Sequence, residues 1–246
     1  MSSSRLLSPL YLLSFSLLLQ LAFAANPLYH FCSSSESFVP NSPYEKNLNK
    51  LMGYLYSSTP KTGFGSGSLG RGQDQAYGLS LCRRDVKMAD CQACVAEAGT
   101  EIRKRCQLNK GAIIWYDYCM LKYSNLDFFG KIDNQNKFYL LNVRNVSDPL
   151  YFNGKVKELL GKLAEEAYVS SIKSAAGEMD IYPSLEDSSK LYGLVQCTRD
   201  LSSDDCKKCI DRGISELPSC CDGKEGGRVV GGSCTVHYEI YPILSA

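Results

Sequence analysis

Five cysteines recur at a constant offset: Cys82, Cys91, Cys94, Cys106 and Cys119 return 115 residues later as Cys197, Cys206, Cys209, Cys221 and Cys234. Each set opens on a C-x8-C-x2-C run, and the copying extends beyond sulfur. Tyr77, Gly78, Leu79, Arg84, Asp85, Asp90, Gly111 and Tyr123 reappear at the same offset as Tyr192, Gly193, Leu194, Arg199, Asp200, Asp205, Gly226 and Tyr238. Self-similarity of this kind marks a tandem duplication. The chain must therefore fold as two versions of one small cysteine-rich unit.

The 246 residues suffice for two domains of roughly 100 to 120 residues each. At a formal charge of +1, the clustered Lys and Arg that drive binding to nucleic acid are missing, and that partner class is excluded. The start reads as a secretion signal: Arg5, an apolar stretch from Leu10 to Leu21, and Ala22-Phe23-Ala24 as the cleavage site. The apolar run is shorter than the roughly 20 residues of a membrane span, and Ser14 and Ser16 interrupt it. This reading gives a signal peptide at 1–24, a first domain at 25–125, a linker at 126–138 and a second domain at 139–246, with no membrane span and an extracellular destination.

Outside the cell, thiols oxidise, and small domains with limited cores need cross-links. The twelve cysteines form an even set, and each bridge stabilises its domain by roughly 2–4 kcal/mol. Two sharper readings compete. A redox site needs an exposed thiolate in a CxxC at a helix start, but a further cysteine lies nine residues before Cys91 and again before Cys206. A four-sulfur zinc site would have to join two knuckles on separate copies. Structural disulfides are favoured over both, and neither a metal nor a cofactor is expected. Enzyme chemistry has little to work with, because the chain has only two histidines, His30 and His237, and no cysteine left over as a nucleophile.

In the first copy, Leu48, Leu51, Met52 and Leu55 form a helical stripe within 44–56, after a Ser42-Pro43 cap and before a stop at Thr59-Pro60. The Gly- and Ser-rich stretch 62–72 spells Gly65-x-Gly67-x-x-Gly70, but without the strand–turn–helix context of a dinucleotide site it reads as a loop or mobile hairpin. A strand over 75–81 follows, then a helix capped by Asp90, then β-stretches at 112–116 and 119–123. Asn125 to Phe138 reads as the connection, and Asn145-Val146-Ser147 as a glycosylation sequon on an exposed turn. The second copy predicts helices over 151–168 and from Ser202 or Ser203, and a hairpin across Gly231-Gly232. The fold class is α+β: two tandem disulfide-rich domains, each with two helices packed on an antiparallel sheet.

The doubled C-x8-C-x2-C pattern resembles the plant cysteine-rich repeat secretory proteins, built from ginkbilobin-type (salt-stress/antifungal) domains. Phe31-Cys32, Tyr77-Gly78-Leu79, Leu217 to Lys224 and Tyr238-Glu239-Ile240-Tyr241-Pro242 carry the resemblance. The same paired domains form the ectodomains of cysteine-rich receptor-like kinases. The resemblance implies pairing of Cys32 with Cys106, Cys82 with Cys91, Cys94 with Cys119, Cys197 with Cys206, and Cys209 with Cys234. In the second copy the counterpart of Cys32 is Leu141, which leaves Cys220 and Cys221 to bridge each other or stay reduced.

The resemblance further implies a mannose site. Its three positions fall on Ser33, Ile113 and Ser124 in the first copy, which cannot do that work, and on Asn142, Arg228 and Glu239 in the second. A carboxylate accepts from sugar hydroxyls, while amide and guanidinium donate to sugar oxygens. A turn at Gly231-Gly232 would set Arg228 opposite Thr235 and leave Glu239 roughly 13 Å farther along the strand. The implied function is a secreted, non-enzymatic plant defence protein that binds mannose-type glycans and acts against fungi. The alternative is an extracellular module that binds a receptor ectodomain or another defence protein.

Overall fold

The computed structural model describes residues 26–32, 36–181 and 189–244; the signal-peptide reading and Ser33 lie outside them. The first copy runs β1 (Tyr29–Cys32), α1 (Pro43–Thr62), β2 (Phe64–Leu69), β3 (Ala76–Cys82), α2 (Met88–Arg105), β4 (Ala112–Trp115) and β5 (Cys119–Ser124). The second repeats this as β6 (Lys137–Leu141), α3 (Pro149–Val169), β7 (Ser174–Asp180), β8 (Lys190–Cys197), α4 (Ser203–Cys221), β9 (Gly227–Gly231) and β10 (Cys234–Glu239). Each copy is a five-stranded antiparallel sheet, ordered β1-β4-β5-β3-β2 and β6-β9-β10-β8-β7, with two helices on one face.

The helices form where apolar side chains recur every three or four residues. Tyr44, Leu48, Leu51 and Leu55 are buried along α1, and Phe152, Val156, Leu159, Leu160 and Leu163 along α3; each such burial is worth roughly 1.5–3 kcal/mol. Ser42 caps α1 by accepting from the Glu45 N–H, and Ser202 caps α4 by accepting from the Asp205 N–H.

Three local expectations are corrected. Pro60 does not stop α1 at Thr59, because the helix continues to Thr62 and ends on Gly63 in the left-handed conformation. Asp90 lies inside α2, whose N-cap is Lys87. The stretch after Thr62 is strand β2, which forms an antiparallel hairpin with β3, so of the two readings the hairpin holds and the loop does not. Its glycines allow α1 to lie close: a side chain at Gly65 would collide with Thr59, and a Cβ at Gly67 would stand 3.1 Å from the Tyr54 ring.

Six disulfides staple the copies. Cys32–Cys106 ties β1 to the end of α2, Cys82–Cys91 ties β3 to its start, and Cys94–Cys119 ties α2 to β5. Cys197–Cys206 and Cys209–Cys234 repeat the last two, and Cys220–Cys221 forms a vicinal bridge. Leu141 pairs with Gly227 as Cys32 pairs with Ala112. It therefore occupies the position of the missing cysteine, and β6 has no covalent tie to α4.

The helix-free faces of the two sheets pack against each other. Leu79, Leu81, Ile113, Trp115 and Met120 of the first copy and Val230 of the second form one buried cluster, joined by Phe31, Phe128 and Phe138. The indole of Trp115 donates to the Gly231 carbonyl at 3.2 Å, and the Gln196 amide donates to the Cys82 carbonyl at 2.9 Å. The contacts are reciprocal. Arg84 donates to the Ser174 carbonyl of the second copy, and its counterpart Arg199 lies beside Gly63 of the first. Each copy thus covers the apolar sheet face that the other's helices leave bare.

Candidate functional site

Asn142, Arg228 and Glu239 lie on the helix-free face of the second sheet, at the margin of this seam. Alternation along β10 puts Thr235, His237 and Glu239 on that face, while Val236 and Tyr238 point into the helix-packed core. The hairpin turn is two residues longer than expected. Val230 pairs with Thr235, so Arg228 stands opposite His237 rather than Thr235. Glu239 is then the diagonal neighbour of Arg228, about 7–8 Å away between Cα atoms, and the 13 Å separation does not exist.

Asn142 follows β6 and is held by its own N–H, which donates to the Gly226 carbonyl at 2.9 Å. Its side-chain oxygen accepts from the Arg144 N–H at 3.0 Å, which turns its NH2 group toward Glu239 Oε2 at 3.4 Å. The Glu239 carboxylate lies across Gly226, where any Cβ would run into it. Burial pushes this carboxyl up, but contacts from His237, Asn142 and Tyr241 outweigh that and hold it below the ordinary glutamate value.

His237 is buried, with Nε2 3.9 Å from Glu239 Oε1. Its pKa is lowered to about 4, by burial first and then by the neighbouring Arg228 and Arg83 charges, against the opposing pull of Glu239. It is therefore neutral at neutral pH and packs in the seam. Arg228, with its side chain 15 % exposed, reaches across the seam to Asp117 in the β4–β5 turn, Nη1 to Oδ1 3.0 Å, while Asp117 itself is 58 % exposed.

The set offers one carboxylate acceptor and two N–H donors on one face, suited to a hydroxyl-bearing ligand. It offers no free thiol, since all twelve cysteines are in disulfides. Sequence reasoning placed Asn142, Arg228 and Glu239 but missed three supporting groups. Gly226 carried a signal, because it repeats Gly111, and His237 carried another, because it alternates with Glu239. Asp117 carried none, since it arrives from the other copy.

The salt stress response/antifungal family profile matches residues 31–126 and again 141–241. The chain belongs to this family. An antimicrobial ginkbilobin-2-like protein of Castanea crenata is 56% identical over 246 residues, 100% of both chains. Cysteine-rich repeat secretory protein 38 of Arabidopsis thaliana is 51% identical over 220 residues, covering 88% of this chain and 85% of that one. The tandem DUF26 ectodomain of the Arabidopsis cysteine-rich receptor-like protein PDLP5 superposes with a TM-score of 0.73 at 25% identity, over 88% of this chain and 100% of that one. These relatives agree with the two-copy α+β fold and with an extracellular protein. Among the described residues, no helix is long and apolar enough to cross a membrane.

Proposed function

We propose that this is a secreted, non-enzymatic plant defence protein whose second copy binds a mannose-type glycan through Asn142, Arg228 and Glu239, with antifungal effect. The supporting observation is the diagonal register, which brings an acceptor and two donors onto one face beside Tyr241, itself half exposed. Adjacent sugar hydroxyls would bridge Glu239 to Arg228, and one would displace the exposed Asp117 carboxylate from the guanidinium. The antimicrobial relative of Castanea crenata supports the defence role. In this reading a signal peptide at 1–24 is removed, 25–125 and 139–246 act as the two domains joined by 126–138, and the exposed Asn145 carries an N-glycan. Calorimetric titration of the secreted protein with methyl α-mannoside should show saturable binding that Glu239→Gln weakens by at least about tenfold. Equal, negligible heats from both proteins remove the lectin claim.

A second reading, a module that docks a receptor ectodomain or another extracellular defence protein, is favoured by the apolar outer edge of the second sheet. Tyr139, Leu140 and Leu141 on edge strand β6, with Val143 and Leu150 beyond it, are exposed, and apolar residues exposed along one sheet edge favour an interaction site. Capture of a receptor ectodomain from extracellular fluid by the wild type, lost in Leu140→Glu, supports this reading. Recovery of none from such fluid counts against it.

A further inference from the structure

The two helices of the second copy part and leave a cleft of about 710 Å³ between them, inside the roughly 300–1,000 Å³ range of small-ligand sites. It lies in the helical layer, on the opposite side of the sheet from Asn142, Arg228 and Glu239. The first copy shows what fills the corresponding place. There Phe38 is buried against Tyr44, and the Arg103 guanidinium stands 4.9 Å from the centre of the Phe38 ring. Arg103 Nη2 also pairs with Glu45 Oε1 at 2.9 Å. A ring and an ion pair thus clamp α1 to α2.

The second copy replaces each part of this clamp. The Val146 N–H donates to the Gly223 carbonyl as the Phe38 N–H does to Leu108, so Val146 stands where the first copy has Phe38. Leu159 and Leu163 lie over Gly193 as Leu51 and Leu55 lie over Gly78. That alignment sets Asn153 in place of Glu45 and Gly154 in place of Lys46, while the constant offset of the cysteines sets Pro218 in place of Arg103. A smaller apolar side chain, a neutral amide and a proline cannot rebuild the clamp. The cleft is what their substitution leaves open.

Its walls are largely hydrocarbon. Val156 and Leu217 are buried at its base beside the Tyr238 ring, and Leu150, Ile214 and Pro218 line its sides. Gly154 and Gly161 also line it, and a Cβ at either would meet nothing within 4 Å, so α3 does not close it. The polar groups are mostly committed elsewhere. Asn153 Nδ2 donates to Asp222 at 2.6 Å while its Oδ1 accepts from the Gly223 N–H at 3.3 Å. Ser215 donates to the Arg212 carbonyl at 2.7 Å, and Asp211 accepts from Lys207 at 2.8 Å. Lys157 is the exception. Its neighbour Glu158 is taken by Lys155 and Lys162, and among the described residues the exposed Lys157 ammonium has no acidic partner. A cation with no partner beside an apolar cleft suits a ligand that carries one negative charge on an apolar body.

We propose that this cleft binds an amphiphilic carboxylate, with the apolar chain between α3 and α4 and the carboxylate at Lys157. Sugars are poorly matched to it, because its open walls are hydrocarbon and its hydrogen-bonding groups are already paired. The site is separate from Asn142, Arg228 and Glu239, and the two readings stand or fall apart.

The test titrates the secreted, oxidised protein with decanoate and, in parallel, with decyltrimethylammonium, both below micelle-forming concentrations, while backbone amide NMR signals are followed. Decanoate should give saturable shifts at Gly154, Lys157, Gly161 and Ile214, and the cation should bind at least about threefold more weakly. Gly161→Phe fills the cleft and replaces a helix-interior glycine with a better helix former. It should weaken decanoate binding at least about tenfold without lowering the melting temperature. Lys157→Gln, at an exposed position with no partner to lose, should weaken decanoate about two- to fivefold without weakening the cation. Absence of saturable decanoate shifts at these residues overturns the proposal, and so does an affinity unchanged in Gly161→Phe. Equal affinities for the two amphiphiles, or for the wild type and Lys157→Gln, overturn the carboxylate assignment. Neither probe carries a sugar, so failure of the mannose reading leaves this result intact.

Discussion

Acid should loosen the second copy through one side chain, His237. The residue is buried between the sheets, with Arg228 opposite, Arg83 nearby across the seam, and Glu239 two residues along. Its pKa in the fold is about 4, against 6.5 in an unfolded chain. A folded-state value below the unfolded one means that the unfolded chain takes up the proton first as pH falls. Stability is therefore complete above about pH 6.5 and drains away toward about pH 4. At about 1.4 kcal/mol per tenfold difference in proton affinity, the gap is worth about 3 kcal/mol in all, of which about 2 kcal/mol is already lost by pH 5. Domains of this size hold roughly 5–15 kcal/mol, so the effect is large. Trp115, the sole tryptophan, donates to the Gly231 carbonyl inside the seam, and its fluorescence reports unfolding there. Guanidinium unfolding of the oxidised protein should show midpoints falling steeply between pH 7 and pH 5. The same measurement on His237→Gln should start lower at neutral pH and fall much less over that interval. Parallel pH profiles for the two proteins would refute the reasoning.

Gly226→Ala should drive the Glu239 carboxylate out of its place against the backbone; we expect a loss of about 1–3 kcal/mol and abolished mannoside binding with unchanged far-ultraviolet circular dichroism. Asp117→Asn should loosen the ion pair that Arg228 makes across the seam, and since a partly exposed pair is worth up to about 1 kcal/mol, mannoside should bind up to about fivefold more tightly in calorimetry. Amide hydrogen exchange should separate the two edge strands. Phe138 to Leu141 in β6, which has no disulfide, should exchange faster than Tyr29 to Cys32 in β1, which Cys32–Cys106 ties to α2, and equal rates would show that this bridge does not govern the edge.

The parts of this fold legible in the sequence are those governed by local chemistry. The Leu48–Leu55 and Val156–Leu163 stripes, the Ser42 and Ser202 caps and the cysteine repeat all speak through spacing alone. Strand β2 was illegible because its Gly-Ser composition ordinarily signals a turn; its glycines answer to α1 lying on top of them, which is tertiary information. The β9–β10 register was missed for a related reason: Gly231-Gly232 suits a two-residue turn, but Val230 pairs with Thr235 and leaves four residues in the bend. The face carrying Asn142, Arg228 and Glu239 could be named residue by residue. What surrounds it, Asp117 above all, could not, because no periodicity within one copy announces what the other copy brings to it.

The facing of the two bare sheets also bears on how such a duplication persists. Once each copy hides the other's greasy side, neither can be deleted or set free without leaving Leu79, Trp115 and Met120, or Val230 and Leu194, open to water. The pair is locked in as a dependency rather than a redundancy. Selection can then let the surface of one copy drift while still holding it responsible for the other's solubility.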